Sequence, residues 1–143
     1  MLNVIKFMKY KKKKNRFFWH LFTFPFIWTP LFFAILIDIS MEIYHHICFP
    51  IYGLKKIDRS QYIQITDRAK LDYLSPLDKI NCMYCGYANG LFPYLAQICK
   101  STETYWCGIM HDSKYPQLKG REHHKDFLPY GDEEALSKST LIP

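Results

Sequence analysis

Apolar positions along the chain change character twice. Residues 17–37, FFWHLFTFPFIWTPLFFAILI, form 21 positions without a formal charge. Residues 38–56, DISMEIYHHICFPIYGLKK, mix the first acids with histidines and apolar residues, and beyond them short amphipathic stretches alternate with polar turns. At about 1.5 Å rise per residue the first run reaches roughly 30 Å as a helix, the thickness of a bilayer's hydrocarbon layer. A membrane helix is expected rather than a buried core helix, because so short a chain has little else with which to cover that surface. A cleaved signal peptide fits less well, since the run exceeds the usual apolar region of about 7–15 residues and no small-x-small site follows before Asp38. Pro25 and Pro30 leave two geometries: one crossing, or a re-entrant bend in which residues 17–29 descend and residues 31–47 return.

If helical, residues 38–56 place Asp38, Glu42 and His45 or His46 on one face at i, i+4 and i+7 or i+8. Glu42 and His45 have the Glu-x-x-His spacing of di-iron carboxylate helices, but no second such pair appears at a comparable position. The plainer reading is an interfacial turn anchored by Tyr44, Phe49 and Tyr52 and ended by Pro50 and Gly53, with Cys48 a small apolar filler or a lipidation site. RSQYIQIT, residues 59–66, alternates like a short strand, and Asp67 is an N-cap for a turn over RAKLDYL. Ser75, Pro76 and Asp78 predict a helix start, with Ser75 capping, and that helix runs to Cys82. A turn at Asn89-Gly90 then leads into a second amphipathic helix from Leu91, with Pro93 in its first turn and Gly108 past its end. From His111 onward the chain is polar and reads as ending in a loosely held tail.

Charge alters the picture only at the start. Of the 19 Lys and Arg residues, seven lie within the first 16 positions, and no acid precedes Asp38. The net charge of +6 is therefore a cationic head on a near-neutral body. That argues against a nucleic-acid interface and suits lysines flanking a membrane segment. With a single crossing the N-terminus is cytoplasmic and the C-terminal part outside; in the re-entrant form, which Lys55, Lys56 and Arg59 on the second flank support, both lie in the cytoplasm.

Cysteine spacing supplies the candidate chemistry. Cys82-x-x-Cys85 is followed, after 21 intervening residues, by Cys107-x-x-x-His111, three thiols and an imidazole in two short pairs. A tetrahedral site needs four such donors, and two local pairs close it at low loop entropy. The string Cys-x-x-Cys-Gly-Tyr resembles a rubredoxin or zinc-ribbon knuckle, in which Gly86 would let the backbone fold tightly around the thiolates, although the second knuckle is absent. Zinc is the expected metal for such a closed set; iron or an iron-sulfur cluster is the alternative. Cys82 and Cys85 also fit a thiol-disulfide exchanger or a structural disulfide, and a cytoplasmic site, with its reduced thiols, favours metal. Glu103 stands four residues before Cys107 as an extra ligand or supporting group, Cys99 reads as a core residue, and the vicinal His123 and His124 with Asp126 form another candidate cluster, more simply read as solvated.

The strings NCMYCGYANGL and TETYWCGIMH, with DRAKLDYLSPLDKIN upstream, resemble a family of small bacterial membrane-associated proteins carrying Cys-x-x-Cys-Gly-Tyr and Tyr-Trp-Cys-x-x-x-His patterns. The resemblance extends from the apolar run to about Tyr130 and implies no activity, only that anchor and Cys/His portion belong together in one protein; the expected location is the bacterial inner membrane.

The expected architecture is mainly α: a basic head (1–16), a membrane anchor (17–37), an interfacial segment (38–56), a small helical domain organised around the Cys/His site (57–128) and a tail (129–143). The expected function is metal binding, in binding or assembly, with membrane lipids and a membrane protein as partners and no nucleic acid. A membrane redox protein is the alternative, and a metal enzyme acting on lipid through Asp38, Glu42, His45 and His46 is a third reading. No catalytic nucleophile, phosphate loop or paired catalytic carboxylates stand out.

Overall fold

The computed structural model describes residues 15–118 and 121–139; residues 1–14 of the basic head (1–16) lie outside them. Among the described residues there are three α-helices and no strand: α1 (Arg16–Ile51), α2 (Pro76–Trp106) and α3 (Glu133–Lys138), with short 3-10 turns between. α1 is a single helix of 36 residues, about 54 Å long. It is long and apolar enough to cross a membrane. The helix continues through Pro25 and Pro30, so the re-entrant bend is absent, and it absorbs residues 38–51 of the expected interfacial turn. Thr29 donates its hydroxyl to the Pro25 carbonyl at 2.7 Å, one of the side-chain hydrogen bonds by which a proline-containing apolar helix keeps its polar groups occupied.

α1 ends where a glycine permits it. Gly53 has φ +68°, its amide bonds to the Pro50 carbonyl at 3.2 Å, and the Leu54 amide reaches back to Phe49 at 2.8 Å, the two bonds of a Schellman cap. Leu54 also packs against the core beside Phe49, the apolar contact that accompanies this cap.

From Tyr52 to Ser75 the chain returns along α1 before α2 begins, which leaves the two long helices parallel. Tyr84 meets Ile27, Tyr87 meets Asp38, Tyr94 meets His45 and Tyr105 stacks on Tyr52, so contacts advance together along both helices. The core between them is Ala34, Phe49, Leu91, Tyr94, Leu95 and Ile98. The expected strand over residues 59–66 is instead a 3-10 turn, Arg59–Gln61, followed by irregular chain, because this segment docks by its backbone and by Arg59 and finds no partner strand. Asp67 does cap the next 3-10 turn, Arg68–Lys70, accepting from the Arg68 amide at 2.7 Å.

α2 starts as its sequence predicts: Ser75 accepts from the Asp78 amide at 3.2 Å, and Pro76 occupies the first position. It does not break at Asn89-Gly90. Gly86 and Gly90, one turn apart, lie where the return segment crosses, and a Cβ at either would strike the backbone carbonyl oxygen of Gln64 or Tyr62. These glycines are there to let backbones touch, as small residues do at close helix contacts, and neither makes a metal knuckle or a turn. Pro93 consequently lies deep inside the helix and not in a first turn. The tail region contains α3, capped by Asp132, whose carboxylate accepts from the Ala135 amide at 2.8 Å.

One ion pair holds the return segment in place. Asp38, 8 % exposed on α1, accepts from both terminal nitrogens of Arg59 at 2.5 and 2.7 Å and from the Tyr87 hydroxyl at 2.7 Å. Arg59 also donates to Glu42 at 2.9 Å and lies over the Tyr94 ring, 5.5 Å from its centroid. A bidentate guanidinium of this kind neutralises a carboxylate that an apolar helix would otherwise bury unpaired.

Two stability predictions follow from this packing, both measurable by denaturant unfolding in detergent. Gly86→Ala and Gly90→Ala should each destabilise the fold by about 1–3 kcal/mol, because backbone must move to admit the methyl group, whereas Asn89→Ala on the exposed face should change little. Arg59→Ala should cost about 3 kcal/mol by stranding Asp38, and the pair Asp38→Leu with Arg59→Met should recover most of that loss. Equal stability of the Arg59→Ala protein and the unmodified one would show that Asp38 is held by something else.

Candidate metal centre

The four residues singled out from spacing do not converge. Cys82 and Cys85 both lie within α2, and Cys107 caps its far end. Twenty-two residues of continuous helix hold Cys85 and Cys107 about 33 Å apart, too far for one metal at any rotamer. Cys82, Cys85, Cys107 and His111 are thus corrected as a set: an unbroken helix replaces the turn that would have folded one pair onto the other. All five cysteines are free, and Cys99, expected in the core, is exposed.

The polar residues of α1 form a packed network and not an open site. Glu42, His45 and His46 place donor atoms within 4.8 Å of one another. His45 is 2 % exposed and already used at both nitrogens: Nε2 accepts from the Ile57 amide at 3.0 Å, and Nδ1 lies 3.1 Å from the Tyr94 hydroxyl. Because a backbone amide must donate to Nε2, that nitrogen carries no proton and Nδ1 is the donor to Tyr94. A metal at His45 Nε2 would have to displace the Ile57 amide, leaving a part-buried donor without its acceptor. These residues lock the return segment onto α1.

Convergence occurs at the other end of α2. Glu103 lies in the helix's last turn, the chain then leaves through Cys107 in extended conformation, and His111 follows. Residues 121–128 fold back beside it: the Leu128 amide donates to Gly108 at 2.6 Å, and the Met110 amide donates to Leu128 at 2.8 Å. This short parallel pairing, Ile109 with Leu128, sets a 3-10 turn, Glu122–His124, against α2. Three imidazoles then point Nε2 at one carboxylate. His111 and His124 approach Glu103 Oε1 at 3.3 and 3.2 Å, and His123 approaches Oε2 at 2.9 Å.

His124 is 4 % exposed and stacks on the buried Phe127, with ring centroids 4.6 Å apart, which fixes its plane. Glu103, His111 and His124 keep their donor atoms within 4.8 Å of one another. For bonds of about 2.0–2.1 Å, neighbouring corners of a tetrahedron are roughly 3.3 Å apart, the separation found from Glu103 to His111 and His124. Burial alone would raise the Glu103 carboxyl, but the hydrogen bond from His123 and the field of His124 outweigh it and hold the group below the ordinary carboxylate range. The arrangement offers two imidazoles and one carboxylate oxygen to a cation, with His123 gripping the second oxygen and fixing the carboxylate's direction, as partners behind metal ligands do.

Of the expected ligands only His111 belongs to this cluster. Glu103, named in sequence as an extra ligand, joins it, and His123 and His124, read there as solvated, complete it. The signal available was the concentration of three of the six histidines after residue 110, but they are separated by a loop whose path spacing does not reveal.

No family model, curated protein or solved structure matches the chain.

Proposed function

We propose that the chain is a membrane-anchored metal-binding protein whose metal is held by Glu103, His111 and His124, with His123 positioning the carboxylate. The observation that carries this reading is the convergence of three imidazole Nε2 atoms on a single carboxylate at 2.9–3.3 Å. Zinc fits a set of two histidines and one glutamate, and iron(II) fits the same donors as a two-histidine, one-carboxylate triad. With no thiolate at this cluster, an iron-sulfur centre has nothing to hold it. Three protein donors leave a coordination position for water or a ligand, the arrangement of a reactive rather than a purely structural site.

Anchoring rests on α1. Its face opposite the core stays apolar and exposed from Phe32 through Leu36, Ile39, Ile43 and Ile47 to Ile51, continuing the exposed aromatics of its first half. Lipid is the solvent for such a face. Glu103 and its histidines lie at the C-terminal end of α2, level with the C-terminal end of α1 and away from the aromatic half of the anchor.

Metal analysis on detergent-purified full-length protein tests the assignment. About one equivalent of zinc or iron is expected, lost in His111→Ala and in His124→Ala and retained in the Cys82→Ser/Cys85→Ser double variant. His123→Ala should weaken metal binding about 10–100-fold without abolishing it. Retention in both histidine variants, with loss in the cysteine variant, would overturn the site. Chelation should leave helices α1 and α2 protected in hydrogen exchange while residues 107–128 exchange faster, since the cluster ties that segment to α2.

A further inference from the structure

His111 and His124 also line a cleft of about 220 Å³, together with Met110, Leu118, Arg121, Glu122 and Lys125. Two candidate ligands of the metal thus share a cavity with two cations. The volume falls below the roughly 300–1,000 Å³ of sites for drug-sized molecules, so the occupant is small. Lys125 is 3.7 Å from Glu122, and the two offset one another. Arg121 is exposed and makes no ion pair among the described residues. Its carbonyl accepts from the His124 amide at 3.0 Å, which holds the Arg121 backbone beside a ligand of the metal.

We infer that this cleft binds a small phosphate-bearing ligand, one phosphate oxygen taking the metal's open position and Arg121 holding the others. The inference rests on the metal reading above. Charge selects phosphate over a simple carboxylate: a divalent ion partly neutralised by Glu103 together with Arg121 presents two net positive charges, since ligating histidines are neutral. A phosphate monoester carries about −1.5 to −2 at pH 7 and a carboxylate only −1. The planar guanidinium matches phosphate geometry through paired donors.

Full-length protein in detergent, loaded with one equivalent of cobalt(II) in place of the native ion, reports on this directly, because the visible absorption of cobalt follows its ligands. Inorganic phosphate should change that spectrum saturably at sub-millimolar concentration, and acetate should do so only at much higher concentration. Arg121→Ala should weaken the phosphate response at least about tenfold, the cost of a charged hydrogen-bond partner, with cobalt stoichiometry unchanged. A response to vesicles containing phosphatidic acid but not to inorganic phosphate, with pure phosphatidylcholine silent, would assign the same group to a lipid headgroup. Cobalt bound with a spectrum unmoved by either phosphate source overturns the inference and leaves the metal site standing. Failure to bind cobalt overturns both.

Discussion

A carboxylate on an apolar helix cannot stay unpaired, and most of the fold is arranged around how Asp38 is satisfied. Bidentate Arg59 meets it from the return segment and the Tyr87 hydroxyl meets it from α2, so a single buried charge collects all three layers of the structure at one point. Taking such a group out of water costs several kcal/mol unless its partners are well placed. The placement comes from a chain direction that no local propensity requires: α1 must end, the chain must double back, and α2 must run parallel to α1.

Two further features make that direction possible. The Schellman cap at Gly53 lets α1 stop and turn. The Gly86 and Gly90 face of α2 then gives the returning backbone room at Tyr62 to Gln64. Each glycine weakens a helix by about 1 kcal/mol relative to alanine, a cost offset by the closeness of the packing it allows. His45, with one nitrogen on the Ile57 amide and the other on Tyr94, occupies the remaining polar positions at the junction. Asp38, Glu42 and His45 of α1 therefore serve docking, and its outward face is mostly left to apolar residues.

The long helix α2 separates two kinds of polar chemistry. Its first half joins the ion-pair network beside α1, and its last turn presents Glu103 to three histidines. Because a helix is stiff over this length, the histidine cluster is positioned relative to α1 by the same packing that buries Leu91, Tyr94 and Ile98. A ligand at the cluster would tie His111 and His124 more firmly to α2 without disturbing the junction around Asp38.

Composition and period alone determined the apolar helix, its length, the cap at Ser75 and the mainly helical character, because those depend on neighbours a few residues apart. They also marked His111 and Glu103 as chemistry-bearing. Tertiary structure decided the rest. Gly86 and Gly90 signal a turn or a knuckle when read locally and become helix positions only once the return segment lies against them. Cys82-x-x-Cys85 has metal spacing, yet an uninterrupted helix carries it about 33 Å from Cys107. His123 and His124 look solvated in a polar loop until the pairing of Gly108 and Met110 with Leu128 swings them onto Glu103. Local sequence encodes which elements form, whereas the convergence of residues 20 positions apart depends on the path of the chain between them, and that path is set by burial and hydrogen bonding across the whole fold.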